Sequence, residues 1–167
     1  MKKVISLLLI VCLACSFSSL CFADQAEDSA AFIYTAELQS IEYFTNEPSP
    51  ESFSARYVPD FEGQGVVTWT VTATDQWGGI RDCGTATATI YYAYNPTNAT
   101  VRFTGKTWSF SPRNGTRFTE QPISTTSVAA TQRVSMPVHV KHPEDPGNGS
   151  VRNFLVELTC SGDCYKV

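Results

Sequence analysis

The chain is poor in the residues that most enzymes and nucleic-acid-binding proteins depend on. Only two histidines, His139 and His142, occur in 167 residues. There is no Gly-x-Ser-x-Gly elbow and no His-Glu-x-x-His helix, so neither the nucleophile-elbow hydrolases nor the common zinc proteases leave a signature here. Charged residues make up 17% of the chain, the formal net charge is −4, and lysine and arginine form no cluster. An acidic chain without a basic patch argues against nucleic acid and against an anionic membrane surface. Beyond the N-terminus no apolar run is long enough to span a bilayer, and no internal repeat is visible.

The N-terminus carries what the remainder lacks. Residues 1–23 open with Lys2 and Lys3, continue with an apolar stretch from Val4 to Ala14, and end on Cys21-Phe22-Ala23, with small residues where a signal peptidase reads. This pattern predicts a secretory signal peptide cleaved after Ala23. Cys12-Leu-Ala-Cys15 also resembles a lipobox ending at Cys15, with a cysteine in place of the aliphatic residue, and a lipoprotein is the alternative. Cleavage after Ala23 removes Lys2 and Lys3 and takes the net charge from −4 to −6. The mature chain is expected to be periplasmic or secreted, where disulfides persist. Cys83, Cys160 and Cys164 remain. Three cysteines allow one bridge, and Cys160 to Cys164 is the expected local pair; Cys83 to Cys160 is the alternative. A redox-active pair or a zinc site would need basic neighbours or a fourth ligand that the sequence does not offer. No metal or cofactor is expected.

The stretch VVTWTVTATDQWGGIRDCGTATATIYYAY, residues 66–94, organises the chain. Val67, Trp69, Val71 and Ala73 alternate with Thr68, Thr70, Thr72 and Thr74. Ala86, Ala88, Ile90, Tyr92 and Tyr94 alternate with Thr85, Thr87, Thr89, Tyr91 and Ala93. Alternation on β-branched and aromatic residues predicts two strands with one apolar and one threonine-rich face. Trp69, Val71 and Ile90 are the expected core anchors. The loop between them, Asp75 to Asp82, carries Gly78-Gly79, a pair suited to a turn with positive φ. The TVTATD run, the following Cys83 and the Thr-Ala-Thr-Ile strand resemble the closing hairpin of extracellular immunoglobulin-like modules of the hyalin-repeat and bacterial Ig-like type. The resemblance covers about a sixth of the chain and implies a sandwich. In those modules the hairpin ends the domain, whereas here more than seventy residues follow it.

Elsewhere the expectations are coarser. Residues 24–30 read as a loose tail, and residues 31–44 as a short helix or an edge strand, since Tyr34, Leu38 and Ile41 fit a helical stripe. Residues 52–58 alternate as a strand and 59–65 read as a turn. Gly105-Lys106 fits a two-residue hairpin turn that would put Phe103 opposite Trp108, both in the core. Asn114-Gly115 marks a further tight turn. Residues 134–141 alternate as a strand that Pro137 assigns to an edge. Residues 143–150 form a loop, and residues 151–160 place Phe154, Val156, Leu158 and Cys160 on one face. Seven to nine strands with frequent turn signals predict one all-β domain over residues 31–167, an antiparallel β-sandwich of Ig-like or Greek-key kind.

Four loop residues are the candidate binding site: Asp75, Trp77, Arg81 and Asp82. Tryptophan and arginine are enriched at binding hot spots, although Trp77 could instead close the end of the core as a lid. Asp75 and Asp82 offer too few ligands for a calcium site. His139 and His142 alternate to opposite faces of a strand, so a solvent-facing and a loop histidine are expected rather than a metal pair. The sequence thus predicts an exported, non-enzymatic domain that binds a protein or a glycan. A surface-fibre subunit that uses strand addition and a small secreted hydrolase are the alternatives.

Overall fold

A computed structural model describes residues 32–46 and 60–167. Among the described residues there are nine strands and no helix, so no helix is long and apolar enough to cross a membrane. They are β1 (Ile33–Asn46), β2 (Phe61–Thr74), β3 (Ile80–Asn95), β4 (Thr100–Pro112), β5 (Arg117–Glu120), β6 (Ser124–Val128), β7 (Thr131–Lys141), β8 (Ser150–Thr159) and β9 (Cys164–Lys166). The first four form one antiparallel sheet in the order β1-β2-β3-β4. The rest form a second in the order β5-β7-β8-β9, with β6 also paired to β7. The protein is therefore an all-β, two-sheet sandwich. The signal peptide, Cys15, the tail and the strand expected at 52–58 lie outside the described residues.

The two alternating runs of the central hairpin face inward as the sequence predicts. Val67, Trp69, Val71, Ala73, Ala86, Ala88, Ile90, Tyr92 and Tyr94 are all at most 4% exposed. They meet Val134, Met136, Val138, Val140, Phe154, Val156 and Leu158 from β7 and β8, so the core is the space between the sheets. Aromatic rings tie the layers together: Trp69 and Trp108 both meet Phe154 edge-on, at 4.8 and 5.5 Å between centroids, and Phe110 stacks on Phe118 at 5.2 Å. On the outer face threonines pair across strands, Thr68 with Thr87 at 3.0 Å and Thr35 with Thr72 at 2.7 Å.

Several expectations are revised. Of the two readings of residues 31–44 the edge strand holds, as β1, and the helix falls; a bulge between Leu38 and Ser40 shifts the inward positions by one, which makes Tyr34, Leu38 and Ile41 look helical. Phe61 to Gly65 is not a turn but the start of β2. Its glycines permit close approach: a Cβ on Gly63 would sit 2.3 Å from the Tyr92 ring, and one on Gly65 would sit 2.9 Å from Cys164 Sγ. Gly105-Lys106 is not a hairpin turn but lies within the single strand β4, at a bulge where Tyr91 pairs with Gly105 and Tyr92 with Phe103. Phe103 and Trp108 do share an inward face, but along one strand, half-buried against the core.

Pro137 lies inside the second sheet, not at its edge. Its missing N–H falls where β5, paired to Val138–Lys141, gives way to β6, paired to Thr131–Ser135; Gln121 N donates to the Pro137 carbonyl at 3.0 Å in that gap. The Ser/Thr-rich residues after 120 supply β6. Asn114-Gly115 is a tight turn as predicted, with φ of 51° and 74° and Thr116 N donating to the Arg113 carbonyl. The Cys160–Cys164 bridge is not formed; Cys83, Cys160 and Cys164 are all free. Cys164 turns into the core toward Gly65 while Cys160 stays half-buried beyond the end of β8, and backbone bonds close the turn between them, Thr159 N to the Asp163 carbonyl and Gly162 N to the Thr159 carbonyl. Burial pushes the Cys164 thiol up to about 12.

Candidate functional site

The β2–β3 loop is shaped by one carboxylate. Asp75 Oδ1 accepts hydrogen bonds from Trp77 N at 2.9 Å and Gly79 N at 2.7 Å. The backbone adds Gly78 N to the Asp75 carbonyl at 3.0 Å and Asp75 N to the Gly79 carbonyl at 2.9 Å. Such side-chain-to-backbone bonds are why aspartate opens tight loops. Gly78 sits at φ 81°, and a Cβ on Gly79 would come within 2.5 Å of Asp75 Oδ2, so the carboxylate can fold over the loop only because both positions are glycine. The loop's backbone donors are thereby used internally, and Trp77 projects outward at 83% exposure. The lid alternative is thus corrected: Trp77 covers no core.

Arg81 links this loop to another part of the chain. Its Nη2 lies 3.4 Å from Asp75 Oδ2, and its Nε donates to Glu144 Oε2 at 3.0 Å. The Glu144 carboxylate, and then Asp75, hold the guanidinium above its ordinary value. Pairs this exposed add little stability; their effect is to fix where the guanidinium points. Phe32, Asp75, Gln76, Trp77, Arg81, Glu144 and Pro146 line a cleft of about 290 Å³ between the two loops. Three of the four predicted residues, Asp75, Trp77 and Arg81, are therefore brought together.

Asp82 is not part of this group. A bulge between Val71 and Thr72 leaves Cys83 as the extra residue, and Asp82 falls on the outer face opposite Thr72 while Arg81 falls opposite inward-facing Ala73. The Gly84 N–H, and then Arg113 Nη1 at 2.6 Å from Oδ2, hold the Asp82 carboxyl below its ordinary value.

The sequence did not point to Phe32, Glu144 and Pro146 as partners of Trp77. Only the acidic Pro-Glu-Asp loop hinted at them, and its position in space depends on the second sheet. Beneath that loop, Tyr34 of β1 accepts a hydrogen bond from His142 N at 2.9 Å and donates to Asp145 Oδ2 at 2.7 Å. Asp145 Oδ1 in turn accepts from Gly147 N at 2.9 Å. His142 lies in the loop after β7, as expected, and is buried there. Phe32 stacks on its ring at 5.8 Å, Nδ1 accepts from Glu144 N, and Nε2 is buried with no partner among the described residues. His139 Nε2 lies 2.6 Å from the Asn148 carbonyl. Among the described residues no group of three or more His, Cys, Asp or Glu side chains gathers in a form that could hold a metal ion.

The chain matches no protein-family model, no curated protein and no solved structure.

Proposed function

We propose that this protein is an exported, non-enzymatic recognition domain that binds a protein or a glycan through the Trp77 loop. One observation carries the reading: a tryptophan held out into solvent on a loop whose backbone is fixed from within. An aromatic anchor of this kind offers large contact area at small entropic cost, and an adjacent arginine adds directed hydrogen bonding. The cleft beside it is open, partly apolar, and rimmed by Arg81 and Glu144, a composition suited to recognition.

A photo-crosslinking residue in place of Gln76, in the full chain expressed with its N-terminal leader, tests this. A discrete adduct that disappears when Trp77→Ala is added supports the reading. The same adducts from a crosslinker at Ser109 on the outer face of β4 would overturn it. N-terminal sequencing of the exported product tests the leader: Asp24 is expected, and a lipid-modified Cys15 would replace that expectation.

One observation favours the strand-addition alternative. β9 pairs only with Val156–Leu158 and Val167 N donates to the Leu155 carbonyl, so the edge of β8 before Leu155, with Val151 exposed, has no strand beside it among the described residues. Size-exclusion chromatography separates the two: a monomer supports the recognition domain, and a ladder of oligomers supports the fibre subunit.

A further inference from the structure

At the opposite end of the sandwich from Trp77, the outer face of the first sheet is hollowed. A cavity of about 590 Å³ opens there, within the range of small-ligand sites. The pairing register shows how it is built. Phe44, Gln64, Tyr91 and Gly105 form one row across the four strands, and Glu62, Ala93 and Arg102 form the next. A small residue opens the hollow: Ala93 lies between Glu62 and Arg102, while outside the lining the Tyr91 ring reaches within 3.9 Å of where a Gly105 Cβ would stand. The two rings are exposed, Tyr91 by 39% and Phe44 by 57%. Their backbone positions stand two strand spacings apart, about 10 Å, with Gln64 on the strand between them.

This arrangement suits one ligand chemistry. A pyranose ring has an apolar C–H face and a rim of hydroxyls that are both donors and acceptors. Aromatic side chains receive the first, and planar amide, carboxylate and guanidinium groups receive the second in adjacent pairs. Two exposed rings separated by one intervening strand suit an extended sugar chain, one ring stacking on one unit and the other on a unit further along it, more closely than they match a continuous apolar helix face. Glu62 and Arg102 face each other across Ala93 without pairing to one another, so an acceptor and a donor group stand ready on either side of the hollow. Asp60 at its rim is already anchored, accepting from Asn95 Nδ2 at 3.2 Å.

We infer that this cleft is a saccharide-binding site for uncharged oligosaccharide or polysaccharide chains, with Tyr91 and Phe44 as stacking platforms and Gln64, Glu62 and Arg102 as hydroxyl partners. The inference is independent of the Trp77 reading, since the two surfaces share no residue.

Affinity electrophoresis of the full mature chain through gels containing barley β-glucan, xylan, galactomannan or soluble starch tests it. The wild-type protein is expected to be retarded by at least one of them. Tyr91→Ala and Phe44→Ala are expected to weaken that retardation at least tenfold in apparent dissociation constant, with Tyr91→Phe, which keeps the ring, and Ser109→Ala, exposed on β4 outside the cleft, close to wild type. Unfolding curves establish that the Ala variants are folded, and Phe44→Ala, on an exposed edge-strand position, keeps the test available if Tyr91→Ala is not. Migration unchanged in all four gels overturns the inference. Retardation abolished by Trp77→Ala but untouched by Tyr91→Ala also overturns it, and transfers glycan recognition to the loop.

Discussion

At each end of the sandwich a buried tyrosine hydrogen-bonds to a loop of the second sheet, and the two closures differ. At the loop end Tyr34 of β1 takes a backbone N–H from His142 and gives its proton to the Asp145 carboxylate. At the far end Tyr92 of β3 gives its proton to the Gly162 carbonyl in the β8–β9 turn. Both reach from the first sheet to a loop of the second. Tyr34 has two partners, one of them an acidic side chain, and it sits under the Pro143–Gly147 loop; Tyr92 has one neutral partner and lies over Gly63. The difference teaches where this fold uses polar chemistry. The Pro143–Gly147 loop lacks strand partners and is held by side chains, whereas the β8–β9 turn already has a ladder to hold it.

The largest effect should come from a change between the two ends. Trp69→Ala removes a ring packed on Phe154 and should cost about 3–5 kcal/mol in urea unfolding, lowering both ends together. Tyr34→Phe should cost about 1.5–3 kcal/mol, because it strands a buried carboxylate oxygen and a backbone N–H. Tyr92→Phe should cost about 1 kcal/mol, since only a carbonyl loses its donor. Equal losses from the two Tyr→Phe variants, measured under one set of conditions, would dissolve the contrast between the ends.

Alkali should act on both closures. Burial holds the Tyr34 and Tyr92 phenols above their ordinary value and lifts Cys164 from 9.0 to about 12. These are acids favoured in the neutral form by folding, so their contribution is whole below pH 9 and is lost as the pH climbs through the folded-state values. Stability should therefore be level on this account below pH 9 and fall from there toward pH 12. Cys164 should resist iodoacetamide at pH 8.5 until the protein unfolds. The smallest effect belongs to Trp77→Ala, which should move stability by less than about 0.5 kcal/mol while abolishing the proposed partner contact, because the indole packs on little.

The central hairpin could be read residue by residue because strict alternation survives along it. What escaped reading were the departures from alternation. A single bulge turns period two into apparent helical spacing at Leu38–Ser40 and into an apparent turn near Gly105. Pro137 looked like an edge because the rule concerns one missing N–H, and the sequence does not reveal that two short strands meet at that gap. At the candidate site, Asp75, Trp77 and Arg81 were legible as a loop of special composition. Glu144 and Phe32 were not, since they lie 63 and 49 positions from Arg81 and are brought near only by the stacking of the two sheets.

The strand order also bears on how the chain reaches its final state. In the first sheet every hydrogen-bonded neighbour is the next of the described strands in sequence, so loop closure is inexpensive and the sheet can form hairpin by hairpin. The face carrying Val67, Trp69, Val71 and Ile90 then stands bare until β7 and β8 arrive to cover it. The stage at which this chain is most open to aggregation is thus the one in which a finished first sheet waits for its other half with its apolar side bare.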